Sequence, residues 1–441
     1  MEGVSGGSER VPAADSIGEA EFAELLAGRS GRFFTEVSGI CDGGATTASR
    51  ARFSNLVHEC HEMESFLDDH GARLNRRFVV LTELVASVRS FAITGYAAAH
   101  LKGRLQSYGH SDWGEAGGAA VQAIESLLRL VQGAVDSLFP RLVEEATSCG
   151  FQPIIDVDES RRKPLVEAKR RLPHDIGEDQ SVDDPQRVAE LVARYLQAVE
   201  MLEELGVDAI ADDVDRSRYV DQHCREEQAR VYEATVHNLQ STYDTYIKNT
   251  VLETEDVRLR SLRGRASAAL HLLEAVTQLA HFHERHEGDH GLAPTAPMLS
   301  ALVPRARVQE VMVNDLLVAA VQVLRDGKET AEALLGDFTR VRELVVELPE
   351  GVTLHARPVA LIVGIVSHFG TPVEVEIGQR RCNAGSILEV LMAIGGAEDV
   401  SEFIFRGDER PLRHIALLFE SGLGESEGTE IPLELSYLAI K

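Results

Sequence analysis

The chain has 441 residues, 44% of them hydrophobic, enough for roughly two to four domains with their own cores. Its 44 Lys and Arg against 71 Asp and Glu give a formal net charge of −27, which argues against general affinity for nucleic acid or an anionic membrane and names no partner. Five dispersed cysteines (Cys41, Cys60, Cys149, Cys224 and Cys382) form no CxxC pair, and no 18-residue apolar run is free of charge. A reduced, cytoplasmic protein without a membrane span is therefore expected.

Residues 1–18, "MEGVSGGSERVPAADSIG", have neither a basic head nor an apolar stretch and read as a disordered tail. Residues 19–150 read as the first half of a helical bundle. Long helical segments are predicted from about Arg50 to Tyr108 and Glu115 to Cys149, with apolar spacings of three and four such as Leu81, Leu84, Val85 and Val88. Gly109, Gly114 and Gly150 punctuate them, and Trp113 falls in a predicted interhelical loop. Residues 151–186 include "RRKPLVEAKRRLPHDIGEDQSVDDP", which carries three prolines and passes from basic to acidic, as a linker or crossover would. Residues 187–339 read as the second half, with helical patterns over Arg187–Leu205, Arg216–His286 and Arg307–Phe338. Val57-His58 in one half and Val236-His237 in the other each open a long helical stretch, an echo that suggests duplication.

After residue 340 the texture changes. "ELVVELP" is strand-like, "ARPVALIVGIVSHFG" is a helix closed by Gly370, and "PVEVEIG" alternates with period two before "RRCNA". "SILEVLMAIGG" is a short helix, "SEFIFRGD" a strand and "ERPLRHIALLFESGLG" a last helix. The order β-α-β-β-α-β-α suits a four-stranded, mostly antiparallel sheet with three helices on one face. Residues 340–441 thus form a small α+β domain with a C-terminal extension. The alternation in "GTEIPLELSYLAIK" predicts one further strand.

Within this domain "TLHARPVA" places His355 at the mouth of an apolar helix. Pro358 suits a first turn, where its missing N–H has no intrahelical partner to lose. Backbone donors at a helix start carry partial positive charge and attract anions. Arg357 adds a guanidinium fork that matches phosphate oxygens. An imidazole held there is suited to take up a phosphoryl group and pass it on.

Residues 341–424, about a fifth of the chain, resemble the histidine-containing phosphocarrier protein (HPr) family of the sugar phosphotransferase system. The resemblance rests on Thr-Leu-His-Ala-Arg-Pro-Val, where the family has Gly-Leu-His-Ala-Arg-Pro-Ala, on "NAGSILEVLMAIGG", and on "FRGDERPLRHIALLF". It implies an open-faced sandwich in which His355 is phosphorylated at Nδ1 and Arg357 steadies the phosphoryl group. It also implies an Enzyme I-type donor, a downstream acceptor protein and, through Ser386, an HPr kinase. An ordinary helix N-cap is the favoured reading of Ser386. The chain departs from the family at Thr353, at Gly385 (in place of lysine), at Glu389 on the docking face, and in its C-terminal extension.

Two other motifs carry histidines at suggestive spacing. "HFHERHEGDH" holds His281, His283, His286, Glu287 and His290, with His283/Glu287 and His286/His290 four apart as metal-ligand pairs could be. His58 and Glu62 share that spacing. Such pairs are common on solvated helix ends, so neither a metal nor any other cofactor is expected. "AAAHLKGRLQSYG" resembles the His-x-Leu-Lys-Gly motif of histidine phosphotransfer (HPt) domains, which sets the lysine three residues after the histidine. Here Lys102 is two after His100, roughly 200° around a helix, so His100 is assigned no transfer role. The expected protein is a large all-α region followed by an HPr-like domain. It would be a phosphocarrier rather than a turnover enzyme, with helices that regulate, bind protein or self-associate. The alternative is a helical scaffold whose HPr-like domain is only a docking or sensing module.

Overall fold

The computed structural model describes residues 16–155, 185–285, 295–349, 354–396, 402–424 and 432–439. Among the described residues up to 338 every regular element is helical. The first stretch contains α1 (Glu19–Arg29), α2 (Gly31–Gly43), α3 (Arg50–Asp69), α4 (Val79–Tyr108) and α5 (Gly114–Ser148). The second contains α6 (Pro185–Glu203), α7 (Asp213–His223), α8 (Glu226–Tyr246), α9 (Val251–Glu255) and α10 (Val257–Arg285). After α11 (Thr295–Leu302), a rod is built from α12 (Arg305–Glu310), a π-helical stretch (Val311–Leu317) and α13 (Val318–Asp326). The last helix of this region is α14 (Lys328–Phe338).

Local chemistry sets several of these ends. The Ser49 side chain accepts from the Arg52 amide at the start of α3, and Asp212 accepts from Val214 and Asp215 at the start of α7. Gly109 ends α4 at φ 80°, in the left-handed region that glycine enters freely. The sequence pattern runs α7 to α10 together. The structure breaks it at Cys224, near Asn249 and at Asp256, because capping and turn chemistry there outweigh a continuous apolar period.

Helices from both sequence stretches bury their apolar faces in one shared core, from Phe22 to Leu334. At its centre α4 lies against α3, α5 and α10. The contact with α10 is close at Gly264, where a Cβ would lie 2.4 Å from the Tyr108 carbonyl oxygen, and α10 also buries the small residues Ala266, Ser267, Ala268 and Ala269. On α4, buried Ser87, Ser90 and Thr94 return their hydroxyls to carbonyls four residues back, so burial leaves them satisfied. Among the described residues α4 alone is long and apolar enough to cross a membrane, and most of it is buried inside the bundle.

Trp113, predicted in a loop, is a buried anchor. It is 1% exposed beneath the Arg265 guanidinium, 5.4 Å from the ring centroid, and sits at the start of α5. A single aromatic between breakers has no periodicity from which such burial could be read.

An ion cluster joins the start of α8 to the end of α10. Glu226 is buried, with Arg230 at 2.7 Å, His281 at 3.1 Å and Arg285 at 3.3 Å from its carboxylate. Burial pushes its pKa up, but hydrogen bonds from these groups outweigh it and bring the pKa down to about 2 from an ordinary 4.5. A depressed carboxylate stabilises the fold fully above its unfolded value, and that stabilisation is lost as pH falls. Acid titration should therefore show stability draining away between about pH 4.5 and about pH 2. In Glu226→Gln that part of the slope should be absent; an unchanged slope would show that the cluster contributes nothing.

The C-terminal region is β1 (Val341–Glu347), α15 (Ala356–Phe369), β2 (Val373–Ile377), β3 (Arg380–Asn383), α16 (Ile387–Gly395), β4 (Glu402–Asp408) and α17 (Glu409–Glu420). The order is β-α-β-β-α-β-α, and the sheet runs β1-β4-β2-β3 with every pair antiparallel. Val373, Val375, Ile377, Phe403 and Phe405 point inward to a second core formed with the helices. The other face carries a cross-strand ladder. Arg406 bridges Glu343 (2.8 Å) and Glu376 (2.6 Å), and Arg381 meets Glu376 at 2.9 Å.

The described part of the extension, residues 432–439, is not the strand that its alternation predicts. Leu433–Ala439 forms 3₁₀ turns lying on α15 and α17. Leu435 is fully buried. Tyr437 stacks on His368 with ring centroids 3.8 Å apart, and its hydroxyl lies 2.9 Å from His414 Nδ1. The apolar side chains find a home between two helices, a stronger draw than pairing at a sheet edge.

A two-residue joint, Thr339-Arg340, links α14 to β1. The Arg340 amide donates to Asp408 at 3.0 Å and Arg410 donates to the Phe338 carbonyl at 3.1 Å. Gly370 ends α15 at φ 67°, and a Cβ there would meet Glu190 of α6 at 2.5 Å. The C-terminal end of α15 thus abuts the bundle. About 20 Å of helix, at 1.5 Å per residue, separates that end from its N-terminus.

Candidate functional site

His355 is the N-cap of α15. Its backbone is extended (φ −128°, ψ −170°) and its carbonyl accepts from the Val359 amide at 3.2 Å. Its side chain turns back over the helix start, where Nδ1 accepts from the Arg357 amide at 3.4 Å. An acceptor nitrogen carries no proton, so Nδ1 holds the lone pair that a nucleophile needs, and a neutral ring then keeps its proton on Nε2.

His355, Ala356 and Arg357 are exposed, whereas Pro358 and Val359 are buried. Pro358 has no N–H and the Val359 amide is used by the His355 carbonyl, so the amides facing the site are those of Ala356 and Arg357. The positive end of a 14-residue helix, the Arg357 amide at 3.4 Å from Nδ1 and a guanidinium two residues along the chain are donors of the kind that suit a phosphoryl group.

Ser386 is the N-cap of α16, its Oγ accepting from the Glu389 amide at 3.4 Å. The Glu389 carboxylate reaches back to the Asn383 amide at 3.0 Å, so the two side chains close the helix start between them. Glu389 is thus an exposed charge tied to the turn before α16. Gly385 is tightly placed: a Cβ would lie 3.1 Å from Asn383 Oδ1 and 3.2 Å from Val366 Cγ1. Thr353 lies outside the described residues.

Three residues that sequence reasoning passed over stand out on α16. Ile387, Leu388 and Met392 are 43%, 69% and 62% exposed. Their i, i+1, i+5 spacing lies within an otherwise apolar helix, so sequence alone does not distinguish them from core positions.

The histidine-rich stretch behaves differently. His283 is 3% exposed, and its Nε2 has Arg305 at 2.9 Å and Gln309 at 3.4 Å. A nitrogen facing a guanidinium is placed to accept a hydrogen bond rather than to bind a cation. His286, Glu287 and His290 lie outside the described residues. Glu62 pairs with Arg29 at 3.1 Å. Among the described residues no group of three or more His, Cys, Asp or Glu is arranged to hold a metal ion.

No curated protein and no solved structure matches the chain at a significant level. One family model matches, described as the PTS HPr component phosphorylation site, over residues 341–417; the helical region has no family match. Proteins of that family carry a phosphohistidine rather than turn over a substrate. Residues 341–417, with the open-faced sandwich and His355 at the head of its first helix, are a PTS HPr phosphorylation-site domain.

Proposed function

We propose that this protein is a cytoplasmic phosphocarrier whose His355 accepts a phosphoryl group from an Enzyme I-type phosphohistidine and hands it to an acceptor protein. The observation that carries this reading is the exposed His355, whose Nδ1 turns to a helix N-terminus beside Arg357. In the transfer, the Nδ1 lone pair forms a new N–P bond as the donor's N–P bond breaks. The bonding pair returns to the donor's imidazole; a nucleophile of the acceptor protein then forms its own bond to phosphorus as the His355 N–P bond breaks and that pair returns to Nδ1. Arg357 and the Ala356 amide hold the oxygens, joined by the Arg357 amide once Nδ1 has given its lone pair to phosphorus. Partner docking falls to the apolar surface of Ile387, Leu388 and Met392, on a helix packed against α15. Phosphorylation of Ser386 by an HPr kinase would place charge beside that surface. The helical region is the regulatory or interaction part. The joint at Thr339-Arg340 and the seat of Gly370 on Glu190 support a fixed setting of the carrier against it.

The test is to incubate the whole chain with phosphoenolpyruvate and Enzyme I and to follow acid-labile, base-stable phosphate. Stoichiometric labelling is expected. Absence of label from a folded protein would overturn the carrier reading and leave a docking module.

A further inference from the structure

The His100 motif that the carrier function leaves unused sits in a cluster of donors between α3, α4 and α10. Arg50, the first residue of α3, places Nη1 3.0 Å from His100 Nδ1. A guanidinium only donates, so Nδ1 accepts and the ring proton lies on Nε2. The His100 ring meets that of His271 from α10 edge to face, with centroids 4.5 Å apart. The nearest carboxylate, Glu274, is engaged by His271 Nδ1 at 2.7 Å. Lys102 reaches across to the Thr46 carbonyl at 2.9 Å, just before α3 begins. Arg104, one turn beyond His100, lies 5.8 Å from the centroid of the Tyr108 ring.

Arg50, Lys102 and Arg104 are exposed, and among the described residues none is paired with a carboxylate. That is notable in a chain of net charge −27, where Arg29, Arg89, Arg141 and Arg258 all have such partners. The cluster offers donors and positive charge, so it repels a metal cation. Burial, then His271, Arg50 and Arg104, against a smaller opposing pull from Glu274, hold the His100 pKa down to about 4. An anion between Arg50 and His100 would reverse that bias.

We propose that this cluster binds a small phosphate-bearing anion through Arg50, Arg104 and His100. Phosphate is favoured over carboxylate because several donors approach from different elements, and a phosphate presents oxygens to all of them. Such an anion stabilises the charged imidazole, so binding near pH 6 takes up a proton on His100.

The test is calorimetry of the full chain with inorganic pyrophosphate as probe. Saturable binding is expected, weakened at least about tenfold in Arg50→Gln/Arg104→Gln, since each charged hydrogen bond contributes about a factor of ten or more. Heats in two buffers of different ionisation enthalpy at about pH 6 should show proton uptake in the wild type in excess of that in His100→Gln, whose amide can still donate. Circular dichroism confirms that the variants fold, and Arg104→Gln serves if the double variant does not. No saturable heat at millimolar pyrophosphate, or an affinity indifferent to these substitutions, overturns the site. Equal proton uptake in wild type and His100→Gln overturns the role of His100.

Discussion

His355→Ala is expected to abolish labelling by phosphoenolpyruvate and Enzyme I while leaving the fold intact. The ring is exposed, and its hydrogen bond to the helix is a long one of 3.4 Å, so its removal costs at most about 1 kcal/mol of cap energy. His355→Asn makes a sharper control, because asparagine is a strong N-cap that cannot carry phosphate. It should be as stable as the wild type and remain unlabelled. Arg357→Ala is the graded counterpart. A charge-assisted hydrogen bond contributes about 1.5–3 kcal/mol, so labelling should slow by about 10- to 100-fold while the endpoint is kept. Label that persists in His355→Ala would place the phosphate on another residue. An unaltered rate in Arg357→Ala would leave the helix amides as the only stabilisers.

Gly264→Ala is expected to cost substantial stability through one added methyl group. Its Cβ would fall 2.4 Å from the Tyr108 carbonyl oxygen and 3.2 Å from its carbon. Backbone cannot yield as a side-chain tip can, so α10 must move off α4. Overpacking of this kind costs about 3 kcal/mol, read as a lower denaturant midpoint with the slope unchanged. Gly133→Ala is the contrast. Nothing lies within 4 Å of the position in the middle of α5, so the same change should stabilise by about 0.5–1 kcal/mol through helix propensity. If both variants lost stability equally, the close α4–α10 approach would not be the cause.

These outcomes separate what the linear chain encodes from what packing adds. The HPr-like element order was legible because each piece carries a local signal: period-two strands, apolar helices, Gly370 and Gly378 at left-handed positions. The helix-start chemistry around His355 was legible for the same reason, since Pro358 and Arg357 lie within three residues of it. Ile387, Leu388 and Met392 were not, because only the packing of α16 decides which of its apolar residues face out.

By itself the sequence determined that helices precede a small α+β domain, and that a histidine heads that domain's first helix, because capping, turns and periodicity act over a few residues. Only the tertiary structure decided that both helical stretches share one core, that Trp113 is an anchor within it, and that the C-terminal extension lies on α15 and α17 rather than in the sheet. Those outcomes depend on contacts between residues far apart in the chain, where burial of the same apolar groups can be satisfied in several ways and shape complementarity selects one.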